Sequence, residues 1–185
     1  MGEVSTRHSA RLILRQWRAG DAEPFADLNA DPEVMRYFPG TLSRRESDAM
    51  IDRCVDHVAE HDWGLWALER RDTGEFIGFT GLARPRFNAH FTPAVEVGWR
   101  LARSAWGHGF ATEAARVAVD VGFGELGLEE IVSFTTSANA ASRRVMRRLG
   151  MTHDPADDFD HPVLPAGHPL SRHVLYRLTP GGGAR

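Results

Sequence analysis

A glycine-rich segment near the middle of the chain carries residue types suited to binding a phosphate group. Gly107 and Gly109 stand in the run 106–114 (WGHGFATEA), between a predicted strand and a predicted helix. Glycine lets the backbone turn sharply and approach a ligand closely. The first turn of a helix presents N–H groups without internal partners and a partial positive charge. The segment therefore predicts a pyrophosphate site, although a tight strand-to-helix turn without a ligand would show the same spacing.

Two other phosphate-binding motifs fit this segment poorly. A Walker loop needs Gly-Lys-Ser/Thr, but all 22 basic residues of the chain are arginine and lysine is absent. A dinucleotide fingerprint needs G-x-G-x-x-G near the N-terminus, whereas Thr112 occupies the sixth position and the segment lies beyond mid-chain. A dinucleotide-dependent oxidoreductase is therefore a weak alternative.

Periodicity predicts the elements that must position this segment. Ser43 and Glu46 form a capping box that begins a helix running to about residue 61. The other helices are predicted over 21–29, in a short turn over 31–38, from about 111 to 121, and after a cap at 137–139. Strands are predicted over 11–17, 63–70, 76–84, 94–101, 131–135 and 173–178, with one more in 151–159. This mixture of hairpins and crossovers predicts an α/β (α+β) fold, with helices covering a mixed sheet.

Composition favours one domain over residues 11–179, with a flexible N-terminus at 1–10 and a disordered tail at 180–185. Cys54 is the single cysteine, which fits a reducing, cytoplasmic compartment. The net charge of -3 argues against a nucleic-acid partner, and no apolar run is long enough to span a membrane.

The segment between His153 and His173 is rich in histidine and aspartate, but it matches no familiar metal spacing. Prolines interrupt it at 155, 162, 165 and 169, so no metal is expected. If its carboxylates lie near the ligand cleft, they would select cationic substrates.

Two motifs together resemble the GNAT superfamily of acetyltransferases. Residues 106–114 resemble the W-G-x-G-Y/F-A-T-E-A stretch of the RimJ/RimL-type branch, with Trp106 where the wider family has Gln or Arg. About 30 residues later, the run from Asn139 to Met151 resembles the family's N-x-x-S-x-x-x-L/M-x-x-L-G-F segment. The resemblance covers most of residues 11–179.

This resemblance implies a mostly antiparallel, V-shaped sheet, split between its fourth and fifth predicted strands, with acetyl-CoA in the opening. The implied pyrophosphate contacts are the amides of 107–112, and the pantetheine arm is expected to pair with the fourth predicted strand. The expected cofactor-binding residues are Val97, Gly98, Trp99, Gly107, His108, Gly109, Phe110, Ala111, Thr112, Asn139 and Ser142.

Glu96 and Ser142 are the candidate catalytic residues. Glu96 lies in an otherwise apolar strand and is the candidate general base; an ion pair with Arg84 or Arg100 is the alternative. The tyrosine that many family members use as general acid is replaced by Met146, so Ser142 is the candidate proton donor, with helix capping as its alternative. The backbone N–H of Val97 or Gly98 is the expected oxyanion donor, by family analogy.

The implied activity is direct acetyl transfer from acetyl-CoA to a primary amine, on a protein N-terminus or a small molecule. An α-amino group has a pKa of about 7.7–8.0, so it needs less help with deprotonation than a lysine amine at about 10.4. A non-catalytic acyl-CoA sensor is the main alternative. Dimers are frequent among soluble proteins, so a homodimer is one assembly to test.

Overall fold

A computed structural model describes residues 5–182 of the chain. The strands are β1 (Arg7–His8), β2 (Leu12–Arg15), β3 (Leu65–Arg70), β4 (Phe76–Ala83), β5 (Glu96–Leu101), β6 (Ile131–Thr136), β7 (Thr152–His153), β8 (Phe159–Asp160) and β9 (Arg172–Leu178). The helices are α1 (Ala22–Ala30), α2 (Arg44–His61), α3 (Phe110–Gly124) and α4 (Ala140–Arg148). Among the residues described, no helix is long and apolar enough to cross a membrane.

One sheet contains all the strands, in the order β1-β2-β3-β4-β5-β6-β9-β7, with β8 also paired to β9. Every neighbouring pair is antiparallel except β5 and β6, which run parallel and are in register only at Glu96 and Val132. The two strands therefore meet at the first residue of β5 and the second residue of β6, and they separate toward their carboxyl ends. This confirms the predicted mixed, mostly antiparallel sheet, and it places the split where the sequence predicted it.

The two faces of the sheet are covered by different helices. On one face α3 and α4 pack over strand residues that include Leu14, Val97 and Ile131. On the other face, α1 and the apolar side of α2, which carries Cys54, cover Trp17 and Phe79. Alternating strand residues thus point to different compartments, and Glu96 and Val97 point to opposite faces.

The helix α2 begins as its sequence predicts. The Ser43 hydroxyl accepts a hydrogen bond from the Glu46 N–H, and the Glu46 carboxylate accepts one from the Ser43 N–H at 2.8 Å. The turn predicted at 31–38 contains one i to i+4 bond, from the Met35 N–H to the Asp31 carbonyl at 3.0 Å. It does not extend into a helix.

The ends of the chain differ in part from the sequence prediction. Within the segment 1–10, expected to be flexible, Arg7 and His8 pair with β2, so the sheet begins earlier than predicted. The single strand expected in 151–159 is two short strands, β7 and β8, because a 3₁₀ turn at Pro155–Asp157 separates them. Of the tail predicted to be disordered, residues 180–182 are described as a turn; residues 1–4 and 183–185 lie outside the described residues.

Candidate active site

The segment that begins α3 has the backbone conformation its glycines predict. Gly107 and Gly109 both have φ of 81°, a left-handed conformation that side chains disfavour, and Gly109 is the N-cap of α3. The first helical bond runs from the Glu113 N–H to the Gly109 carbonyl at 3.1 Å. Within the described chain, the backbone N–H groups of 107–112 have no protein hydrogen-bond partner. We call this segment the amide cradle (residues 107–112).

Neighbouring side chains hold the amide cradle against the sheet. The Trp106 indole N–H donates to the Leu101 carbonyl at 2.8 Å, joining the start of the cradle to the end of β5. Glu113 accepts hydrogen bonds from Ser9 at 2.7 Å and from the Arg11 backbone at 2.8 Å. The Arg11 guanidinium lies 4.6 Å from the centre of the Phe110 ring. These contacts fix the cradle before any ligand arrives, which lowers the entropic cost of binding.

The members of the cradle have distinct roles in the structure. Phe110 and Thr112 are buried, whereas His108 is exposed and its ring stacks on Phe110 with centroids 5.5 Å apart. Unpaired amides at a helix N-terminus match the hydrogen-bonding needs of a pyrophosphate. The residues present therefore fit the diphosphate of coenzyme A.

The backbone of β5 presents alternate residues to the opening of the V. The Val95 carbonyl accepts from the Val132 N–H at 2.9 Å, and the Val97 carbonyl accepts from the Ser133 hydroxyl at 2.9 Å. The Gly98 carbonyl instead accepts from Thr80 of β4 at 2.9 Å. Since the N–H and C=O of one strand residue point to the same side, Val97 directs its amide toward β6 and Gly98 directs its amide toward β4.

Trp99 extends this pattern beyond the paired part of β5. It has the same parity as Val97, and it follows the single register position shared by β5 and β6. Its backbone groups therefore point into the gap between the strands, where a pantetheine amide could pair with them. The side chain of Trp99 packs against the core on the α3 side.

Glu96 lies where β5 and β6 meet, and its surroundings change its acidity. Burial raises the pKa of this carboxyl group to about 7. Neither predicted arginine pairs with it, because Arg100 donates to Asn29 at 2.5 Å and Arg84 lies over the Trp63 ring at 5.8 Å. A half-buried carboxylate with a pKa near neutrality and no partner among the described residues suits a general base.

A cavity of about 680 Å³ opens beside Glu96 on the α2 side of the sheet. It is lined by residues of α2, β3, β4, the 84–87 loop, β5 and β6, together with His161: Met50, Arg53, Cys54, His57, Leu65, Leu82, Ala83, Arg84, Pro85, Arg86, Phe87, Glu96, Phe134 and His161. We call it the acceptor cavity, since it reaches the candidate base from the face opposite the α3 core. Its size is ordinary for a small-molecule site.

Sequence reasoning missed most of the acceptor cavity. His57 contributes a buried Nε2 atom with no hydrogen-bond partner among the described residues, and burial lowers the pKa of its imidazole. Burial raises the pKa of the Cys54 thiol to about 11, so this cysteine is a poor nucleophile at neutral pH. His57 follows Cys54 by three residues and shares its helix face, and this spacing was the one local signal that could have found it.

Asn139 and Ser142 begin α4 at the other side of the opening. The Asn139 Oδ1 atom accepts from the Ser142 backbone N–H at 3.1 Å, and its Nδ2 donates to Thr135 at 3.0 Å. Asn139 is thus the N-cap of α4. The cap uses the backbone N–H of Ser142, which leaves its hydroxyl outside the capping bond. Met146, at the position of the missing tyrosine, is buried.

No carboxylate of the acidic segment after β7 lines the acceptor cavity, although His161 of that segment does. Asp157 pairs with Arg177 at 2.7 Å, and Asp158 contacts His153 at 2.7 Å. Asp160 is exposed and lies 3.7 Å from Arg172. The idea that these carboxylates select a cationic substrate is therefore wrong for this arrangement, because ion pairs within the segment and with β9 occupy them.

Comparisons with known proteins agree with this geometry. Residues 11–152 match the acetyltransferase (GNAT) domain family. The uncharacterized N-acetyltransferase YoaA of Bacillus subtilis is 34% identical over 145 residues, covering 76% of this chain and 78% of the relative. The FsC-acetyl coenzyme A-N(2)-transacetylase of Aspergillus fumigatus is 34% identical over 159 residues, covering 80% of this chain and 65% of that protein.

A solved structure extends the likeness to the whole fold. The acetyltransferase from Agrobacterium tumefaciens is 27% identical and superimposes with a TM-score of 0.76, covering 96% of each chain. The family predicted from the two sequence motifs is confirmed: the chain belongs to the GNAT family and is an acetyltransferase.

Proposed function

We propose that the protein transfers an acetyl group from acetyl-CoA directly to a primary amine, on a small molecule or a protein N-terminus, with Glu96 as general base. One observation carries this proposal: the single strand β5 has an unpaired carboxylate at its start and leads into the amide cradle after its end. The gap between β5 and β6 connects the two. A cofactor held by the cradle would therefore reach the base along one strand edge.

The residues proposed to hold acetyl-CoA lie on both sides of the gap. The amides of 107–112 would bind the pyrophosphate, and the edge of β5 at Trp99, just beyond the paired residue Val97, would pair with the pantetheine arm. Asn139 and Ser142 would approach the same arm from α4. When bound, acetyl-CoA supplies an activated thioester as the acetyl donor. The match of residues 106–114 to the branch motif supports a RimJ/RimL-type enzyme, and the single cysteine, Cys54, fits a cytoplasmic location.

Glu96 would remove the proton that the acceptor amine must lose. With a pKa of about 7, this carboxyl group is half ionised at neutral pH. A lysine-like amine is neutral only about once in 2,500 molecules at pH 7, a cost of about 4.6 kcal/mol, whereas an α-amino group is neutral far more often. Proton transfer to a carboxylate with a pKa of about 7 is uphill by about one pKa unit from an α-amino group and by about 3.4 units from an alkylamine. The acidity of Glu96 therefore favours an acceptor amine of low pKa, and an alkylamine would have to bind in its neutral form.

Ser142 is the proposed donor toward the sulfur. Its hydroxyl takes no part in the cap formed by Asn139. Among the predicted site residues, no other one with a hydroxyl or an imidazole lies at the start of α4. The name of the Aspergillus relative, a transacetylase acting at an N(2) position, supports a small-molecule amine as the acceptor class.

The decisive experiment measures CoA release from acetyl-CoA with a panel of amines and peptides. The proposal expects turnover with at least one primary amine, and a dissociation constant for CoA that rises when the cradle is altered. Tight CoA binding with no turnover on any amine would instead support an acyl-CoA sensor. Failure of CoA to bind would contradict both the proposed acetyl transfer and the sensor alternative.

A further inference from the structure

Three arginines converge on the mouth of the acceptor cavity. Arg53 comes from α2, and Arg84 and Arg86 come from the loop after β4. We call them the arginine rim (Arg53, Arg84, Arg86). In residues 5–182, no carboxylate lies within 4.0 Å of any of them. By contrast, Arg15 and Arg177 each contact two carboxylates.

The positive charges of the arginine rim act on side chains that line the cavity. Arg53 and Arg86 are among the positive charges that act on the Cys54 thiol, and Arg84 and Arg86 act likewise on His57. All five residues line the cavity, so the rim charges act on the space that it encloses. The raised pKa of Glu96 is caused by burial. The cavity wall thus contains one carboxylate, that of Glu96, and a separate group of three exposed arginines.

The remaining walls are apolar or aromatic and add no negative charge. Glu96 is the one acidic residue among the described residues that line the cavity. The rings of Phe87 and His161 pack in a tilted arrangement on the side facing β6, with centroids 4.5 Å apart. The unpaired guanidinium groups would repel the second positive charge of a diamine. They would bind an anionic group instead, because their planar N–H donors match carboxylate and phosphate oxygens.

We infer that the acceptor is a primary amine that also carries an anionic group, a carboxylate or a phosphate, bound by Arg53, Arg84 and Arg86 while its amine lies at Glu96. This inference rests on the proposed function and names the substrate class of the same site. It excludes polyamines as preferred acceptors. Since the rim residues are exposed, the preference is expected to weaken as salt screens it.

A charge series of amines tests this inference directly. Butylamine, 4-aminobutyrate and 1,4-diaminobutane carry similar alkylamines but end in a methyl group, an anion and a cation. The kcat/KM for 4-aminobutyrate is expected to exceed that for butylamine by at least about tenfold, with diaminobutane the poorest. Including 3-aminopropyl phosphate in the series shows whether the site prefers a phosphate or a carboxylate. A preference for the diamine, or equal rates across the series, would overturn the inference.

Substitutions in the arginine rim test whether these arginines cause the preference for 4-aminobutyrate. R84Q and R86Q are each expected to reduce the ratio between 4-aminobutyrate and butylamine several-fold, and the R53Q/R84Q/R86Q triple variant is expected to bring it near one. Arg45→Gln is the matched control, because Arg45 is exposed on the same helix as Arg53 and does not line the cavity. An unchanged ratio in the triple variant, with thermal stability equal to that of the control, would refute the assignment.

A binding measurement keeps the inference testable if no amine turns over. Isothermal titration of the CoA-saturated protein compares N-acetyl-4-aminobutyrate with N-butylacetamide, which differ by the carboxylate. Tighter binding of the anionic amide by about tenfold or more, lost in the triple variant, supports the anion site even if the proposed activity fails. Equal binding, or no binding of either, overturns the inference even if amines are acetylated.

Discussion

Replacing Glu96 with glutamine separates its proposed catalytic role from its contribution to stability. Glutamine has the shape of the protonated carboxylic acid but cannot accept a proton from an amine. General base catalysis contributes about 10²–10⁴-fold to a rate, so kcat is expected to fall by at least about 100-fold at pH 8 with a saturating amine. The wild-type profile of kcat against pH should also contain an inflection near 7 that the variant lacks.

The same substitution has a stability effect whose sign follows from the raised pKa. Between its ordinary value of 4.5 and about 7, Glu96 is protonated in the folded protein and ionised in the unfolded chain. The folded state thus binds more protons, and wild-type stability falls as pH rises through this window. The difference between these two pKa values corresponds to up to about 3 kcal/mol.

Glu96→Gln removes this loss and leaves the low-pH stability unchanged. The variant is therefore expected to match the wild type near pH 4.5 and to exceed it by up to about 3 kcal/mol above pH 7. Urea unfolding at several pH values measures the difference. Glu23→Gln, on an exposed position in the first turn of α1, is the control; it should leave the rate unchanged and lower stability by no more than about 1 kcal/mol.

Two results would refute the reasoning about Glu96. A loss in kcat smaller than about tenfold, or an inflection near pH 7 that persists in the variant, would show that another group removes the proton. A stability difference that does not depend on pH would show that the carboxyl group is not desolvated.

Three further experiments test the rest of the site. Gly109→Ala places a side chain at a φ of 81°, so the free segment is expected to relax away from the cradle conformation, and restoring it on binding costs roughly 1–2 kcal/mol. The dissociation constant for CoA measured by calorimetry should therefore rise about tenfold, whereas Gly20→Ala, which meets nothing within 4 Å, should leave it unchanged. Ser142→Ala should lower kcat at least about tenfold with little loss of stability, because the cap uses its backbone N–H. An unchanged kcat would show that the Ser142 hydroxyl has no catalytic role. Alkylation of Cys54 by iodoacetamide at pH 8 should be far slower than that of a free thiol, since its pKa is about 11, and rapid labelling would contradict its burial.

Local features of the sequence were enough to predict the amide cradle. The left-handed φ of Gly107 and Gly109 and the unpaired N–H groups of the first turn of α3 follow from a few consecutive residues. The capping box of Ser43 and Glu46 is equally local. Each depends on backbone geometry within about one helical turn, so the order of residue types is sufficient information.

The acidity of Glu96 and the charge of the cavity could only be decided by the tertiary structure. The sequence offered Arg100 as an ion-pair partner for Glu96, but Asn29, from a distant helix, binds that guanidinium. The arginine rim joins α2 to a loop about 30 residues later in the chain. Desolvation and Coulomb interactions depend on distances through space, and those distances exist only after the sheet has brought separate segments of the chain together.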